Sequence, residues 1–228
     1  MDDAEVFYAI AECFAPHNEA QWRALTRRGR WTDTVDGVRH LLQIGAMPGA
    51  VQLPAEGSHA QSPLQDFMSE REVNALFVPP TWQEAQAFAA KHFTGGLPAS
   101  APPIESLYRA PENATFAAKG IVTGLPGVYG GESARYMRDL IARMGLSLPP
   151  QFSDCPDHLS LELEILGRLI ESGAHEDART FLAERFSWLT RYRLRLLGLE
   201  SSASAEFYIG LVDVLIGIQA HPACSVTA

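Results

Sequence analysis

Apolar residues recur at helical spacing along most of this chain. Val6, Phe7, Ile10 and Phe14 repeat every three or four positions, and Pro16 ends the run. Short helices are expected over Glu19–Thr26 and Thr34–Ile44. Ala46 to Ser62 carries Pro48, Gly49, Pro54 and Gly57 with little periodicity and reads as a loop. A helix follows from Leu64 to Leu76, and Pro79-Pro80 stops it. Thr81-Trp82-Gln83-Glu84 has the composition of a capping box: the threonine accepts from the amide three residues on, and the glutamate reaches back. It predicts a helix from Trp82 to Phe93, closed by Gly95-Gly96. Leu97 to Pro103, rich in proline and small residues, reads as a linker. Pro111 to Gly131, with five glycines and two prolines, is expected to be irregular.

The second half is more regular. Ser133 suits the cap of a helix running to Met144, with Gly145 as its stop. Pro149-Pro150 marks a break. Pro156 suits a first helical position, where a missing N–H costs nothing. The helix after it places Leu159, Leu163, Leu166 and Ile170 on one stripe, with Glu162, Ile165 and Leu169 beside it, and Gly173 ends it. Helices Glu176–Phe186, Trp188–Leu197 and Ala205–Ala220 complete the chain. The last is apolar on nearly every side, which predicts a central buried helix. No strand-like alternation of useful length and no fixed-period repeat is present. The pattern predicts an all-α fold: one helical-bundle domain over 1–228, with an N-terminal lobe of about 1–110 and a C-terminal lobe of about 111–228.

Composition narrows the function. A net charge of −9 repels nucleic acid phosphates and weakly attracts basic peptides. Cys13, Cys155 and Cys224 form no CxxC pair and cannot all pair off, which fits a reducing compartment. The acidic start Met1-Asp2-Asp3-Ala4-Glu5 lacks the basic region of a signal peptide. The longest apolar run, Phe207 to Ile218, contains Asp213 and falls short of the ~20 residues of a membrane span. A soluble, cytoplasmic protein is expected, with no nucleic acid partner and no membrane insertion.

Asp157-His158 opens the Leu159 stripe and is the most promising chemistry. Acids in a first helical turn favour the macrodipole, so the pair is read either as a helix-start stabiliser or as an exposed pocket. In the second reading Asp157 accepts from an arginine of a bound peptide. His158 and Glu162 stand four apart, a spacing that suits a metal or an acid–base pair. The seven histidines are scattered and supply no third-ligand motif, so no metal is expected. A small hydrolase using Asp157, His158 and Glu162 is the enzymatic rival. Gly124-x-x-Gly127-x-x-Gly130-Gly131 lacks the lysine and hydroxyl of a phosphate loop. Gly131-Glu132-Ser133-Ala134-Arg135 has an arginine where a nucleophile elbow needs its closing glycine. Arg27-Arg28 precedes a polar stretch and is no export signal. Arg185, Arg191, Arg193 and Arg195 read as a solvated face paired with acids, or as a dock for a phosphorylated cofactor. Leu76-Phe77-Val78-Pro79 and Pro102 to Tyr108 read as loops with bulky apolar side chains that either cover a core or line a groove.

Taken in order, these segments form a recognisable set. Leu76-Phe77-Val78-x-Pro80 and Pro102-Pro103-x-x-Ser106-x-Tyr108 come first, then Met144-Gly145-Leu146 and Pro156-Asp157-His158 with Glu162-Leu163. Phe181-Leu182, Trp188-Leu189-Thr190-Arg191-Tyr192 and Phe207-Tyr208-x-x-Leu211 follow. From about Leu76 to Ile218 the chain resembles the TorD/DmsD family of redox-enzyme maturation chaperones. The resemblance implies an all-helical, non-enzymatic protein. Such a protein binds the twin-arginine leader or the body of a molybdoenzyme catalytic subunit and assists cofactor insertion before export. It implies a monomer or a domain-swapped homodimer. No cofactor is expected to bind stably, though the client's molybdopterin can be met transiently. Peptide-binding positions carry over to Leu76, Phe77, Pro80, Pro103, Ser106, Tyr108, Asp157 and His158. Thr81 to Ala101 lengthens the connection between the two apolar motifs and adds a helix. Family members are linked to guanine nucleotides, but no nucleotide motif is present. A chaperone of the nitrate reductase type, whose client lacks a cleavable leader, is the alternative within the family.

Overall fold

Reciprocal caps set where the first helices begin. Asp2 accepts from the Glu5 amide at 2.8 Å, and Glu5 accepts from the Asp2 amide at 2.9 Å. Asn18 with Gln21, Ser69 with Glu72 and Thr81 with Glu84 repeat the device. The computed structural model describes residues 1–44, 68–95, 99–109 and 130–220. These caps open α1 (Asp3–Phe14), α2 (Glu19–Leu25), α4 (Glu70–Phe77) and α5 (Trp82–His92), and α3 (Arg28–Ile44) lies between the second and third. The remaining helices are α6 (Glu132–Arg143), α7 (Leu159–Glu171), α8 (His175–Arg185), α9 (Leu189–Leu197) and α10 (Ala203–Ala220). Two 3₁₀ turns, Glu105–Leu107 and Pro150–Phe152, join them. Among the described residues there is no strand, only one isolated bridge, so the fold is all-α as expected.

α10 is the centre. Phe207, Tyr208, Leu211, Val212, Val214, Leu215 and Ile218 are all buried, and α3, α4, α5, α8 and α9 pack around them. By length and composition α10 is apolar enough to cross a membrane, but 72% of that stretch is buried inside the protein. Its buried acid, Asp213, is held by the Arg193 guanidinium, which also reaches Glu72 of α4. α1 lies along α7. The Tyr8 ring lies so close against the α7 backbone that a Cβ on Gly167 would sit 2.5 Å from it. The Tyr8 hydroxyl reaches over α7 to Glu171 at 2.9 Å. Gly145 and Gly173, at φ 70° and 76°, end α6 and α7 as expected.

Several boundaries differ from the sequence reading. α3 starts at Arg28 rather than Thr34. Gly131, not Ser133, caps α6, and Ser133 is buried inside its first turn. α7 starts at Leu159, and Pro156 lies in the turn before it: His158 has extended backbone and is itself the cap. Leu76 and Phe77 belong to a helix rather than a loop. Ala101, Pro102 and Pro103 are buried, so this part of the expected linker belongs to the core. The expected loop Ala46–Ser62, the start of the Leu64 helix, Cys224 and the glycines of 120–127 lie outside the described residues.

Candidate functional site

The stretch 102–109, which holds the first 3₁₀ turn, lies across the start of α7. The Glu105 amide donates to the Asp157 carbonyl at 3.0 Å, and the Leu159 amide donates to the Pro103 carbonyl at 2.9 Å. These bonds frame the antiparallel bridge between Ile104 and His158. Asp157 adds its side chain, accepting from the Ser106 amide at 2.8 Å. His158 accepts from the Ser160 amide at 3.2 Å through Nδ1, which leaves the ring proton on Nε2. Its ring lies 4.9 Å from that of Phe152, and burial depresses its pKa to about 3, so the imidazole is neutral.

Beneath this clasp lies a buried charged cluster. The Glu105 carboxylate is fully buried and is gripped by Arg185, from the end of α8, and by Arg109 at 2.7 Å. Glu162, one turn into α7 and also fully buried, accepts from the Trp188 indole at 3.2 Å and faces Glu105. Burial and the neighbouring Glu105 charge hold the Glu162 carboxyl well above the usual glutamate range. The Tyr108 ring stacks on Trp188 at 5.6 Å and leans on Tyr192 at 5.2 Å. Arg191 closes the end of the stretch by donating to the Tyr108 carbonyl at 3.0 Å.

The other apolar motif is fixed by two indoles. Trp31 donates to the Leu76 carbonyl at 2.6 Å, and Trp22 donates to the Pro80 carbonyl at 2.9 Å. With both ends tied, Phe77 and Val78 face outward at 43% and 75% exposure. The Arg39 guanidinium lies 5.1 Å from the centre of the Phe77 ring.

The eight expected peptide-binding residues thus fall into two groups. Leu76, Phe77 and Pro80 belong to the indole-tied link, and Pro103, Ser106, Tyr108, Asp157 and His158 to the clasp. Phe77 alone is exposed; the other seven are buried. The expectation that Asp157 and His158 stand open at a helix mouth is therefore corrected: the backbone of 103–106 covers them. Asp157, His158 and Glu162 also present no water-facing base or nucleophile, because all three are buried and engaged. Among the described residues no group of side chains could hold a metal ion. The arginine row pairs with acids as expected at Arg185 and Arg193, but not at Arg191 and Arg195, and it is not one solvated face. Arg185 is buried on Glu105, Arg191 and Arg195 hold the Tyr108 and Ser100 carbonyls, and Arg193 clamps Asp213. Arg185, Arg191 and Arg195 tie loops to helices, and Arg193 ties α9 to α10 and α4.

Sequence reasoning overlooked Glu105, Arg109, Trp22 and Trp31. Glu105 had a signal: it is the one charge inside Pro102-Pro103-Ile104-Glu105-Ser106-Leu107-Tyr108, and a lone charge in an apolar run demands a partner.

The family model described as nitrate reductase delta subunit matches residues 52–197. The chain belongs to this family, which is one of redox-enzyme maturation chaperones that assemble molybdoenzymes. The matched stretch takes in both apolar motifs, the whole clasp and the charged cluster, and ends with α9. α1, α2, α3 and α10 lie outside it. Comparison with curated proteins finds no match.

Proposed function

We propose that the protein is a non-enzymatic, cytoplasmic chaperone for the catalytic subunit of a molybdenum oxidoreductase. It holds the subunit, through its leader or its body, while the molybdopterin cofactor is inserted, and keeps no cofactor itself. The family match over 52–197 carries this reading. An apolar stretch of a twin-arginine leader docks first on Phe77 and Val78, bulky side chains held outward on a helix end that two indoles keep rigid. Leu76 and Pro80 support that patch from beneath. Pro103, Ser106, Tyr108, Asp157 and His158 shape the second part of the surface and reach the peptide only after the clasp loosens.

A client without a cleavable leader is the second reading. It is favoured by the description of the matching family and by the burial of Asp157, which keeps a leader arginine from its carboxylate. Calorimetric titration with leader peptides, and with a catalytic subunit lacking any leader, separates the two. Under the first reading leader peptides bind. Phe77→Asp then weakens them about ten- to a hundredfold, because burying a phenylalanine is worth ~1.5–3 kcal/mol. Undiminished leader binding by Phe77→Asp removes the apolar patch from the account. Binding of the subunit alone selects the second reading.

A further inference from the structure

Glu105 and Glu162 play no part in the docking just described, yet they sit where the clasp joins the bundle. Glu105 is carried by the clasp, Glu162 by α7, and both side chains are fully buried. Three elements face Glu162: the 3₁₀ turn with Glu105, the turn before α7 with Asp157, and the end of α8 with Arg185. Trp188 adds a neutral donor, and Arg109 reaches Glu105 from the more open side. Both arginines bond Glu105, and the Arg185 guanidinium also lies over the Tyr136 ring. Glu162 has only the indole, on one oxygen; its other oxygen has no protein donor. Two carboxylates in contact cannot both hold charge cheaply, least of all when buried.

We propose that Glu162 carries a proton that it donates in a hydrogen bond to Glu105, and that this proton is the latch holding the 102–109 stretch on α7. The arginines favour charge on Glu105, and burial favours the neutral form of Glu162. Loss of the proton puts a second negative charge against Glu105, and Arg185 is then shared between two carboxylates. Glu105 is the member mounted on the clasp, so the clasp yields. Tyr108, three residues on, leaves the face of Trp188, and the aromatic floor of Trp188 and Tyr192 is uncovered. The released proton goes to solvent, and the latch resets when it returns. This device does not depend on which client is bound.

Infrared spectroscopy and hydrogen exchange on the full chain test the latch together. At neutral pH the wild type shows a protonated-carboxyl band that disappears as pH rises. Over the same range, exchange of 101–109, corrected for the intrinsic rate, reports an opening constant that grows by up to about tenfold per pH unit. Glu162→Gln lacks the band and stays closed throughout, because its amide donates to Glu105 where the acid does. The proposal is overturned if the wild type has no such band at neutral pH, or if protection of 101–109 does not fall as the band is lost. A folded Glu162→Gln that opens as steeply as wild type overturns it equally. Should that variant fail to fold, the wild-type band and exchange profile still decide.

Discussion

At the scale of single residues, His158 and Glu162 are two buried groups whose titrations oppose each other. His158 is neutral in the fold down to about pH 3 but binds a proton near 6.5 when unfolded. It therefore costs stability as pH falls through that window. Glu162 keeps its proton in the fold far above the ordinary 4.5, so its contribution is complete below 4.5 and drains away as pH rises. Between pH 4.5 and 6.5 the unfolded chain gains one proton on the histidine and lacks one on the glutamate, and the two slopes cancel. Each slope alone is about 1.4 kcal/mol per pH unit. The share of the profile owed to these two groups, read by chemical denaturation as wild type against Glu162→Gln, is a plateau between those values with a fall on either side. In Glu162→Gln the plateau tilts, stability rising with pH up to 6.5 and then levelling. A wild-type profile that climbs steadily from pH 4.5 to 8 would show that Glu162 is ionised in the fold.

At the scale of elements, the seam between α1 and α7 depends on the missing side chain of Gly167. Gly167→Ala drives a methyl into the Tyr8 ring, and overpacking of this kind costs ~1–3 kcal/mol. Tyr8→Ala in the same chain should return part of that loss, while Gly29→Ala, with open space around it, should be near neutral. Denaturation midpoints of wild type, Gly167→Ala, Tyr8→Ala, the double mutant and Gly29→Ala check this, and an additive double mutant would mean that the seam is not where the strain falls. The helices themselves were legible because their signals are local. The Thr81–Glu84 box, the glycine stops at Gly145 and Gly173, and the apolar circumference of α10 each lie within a few residues of what they determine. The clasp was not legible for the opposite reason. That Pro102-Pro103 leads into a bridge with His158, and that Asp157 spends its carboxylate on the Ser106 amide 51 residues away, are long-range facts. The motif marked where the site is, but burial reversed the expected role of its acid. The same holds for the arginines: their clustering was visible, but not that carbonyls and buried acids fill their reach.

At the scale of the whole molecule, the feature with the widest reach is the position of α10. The helix around which α3, α4, α5, α8 and α9 pack is the last described helix of the chain. A ribosome making this protein releases five apolar helix faces before it supplies the surface that covers them. At ~5–20 residues per second, the wait from α1 to α10 is roughly 10–40 s. The assembly chaperone is thus itself a late folder, exposed to misassembly from the release of α1 until that of α10. Nascent chains stalled before Ala203 should be cut readily by protease even in α3 and α4, and chains long enough to free α10 from the exit tunnel should resist. Early resistance in the shorter chains would mean that the N-terminal helices find another partner first. Otherwise the protein becomes able to guard a client only at the moment its own core is threaded.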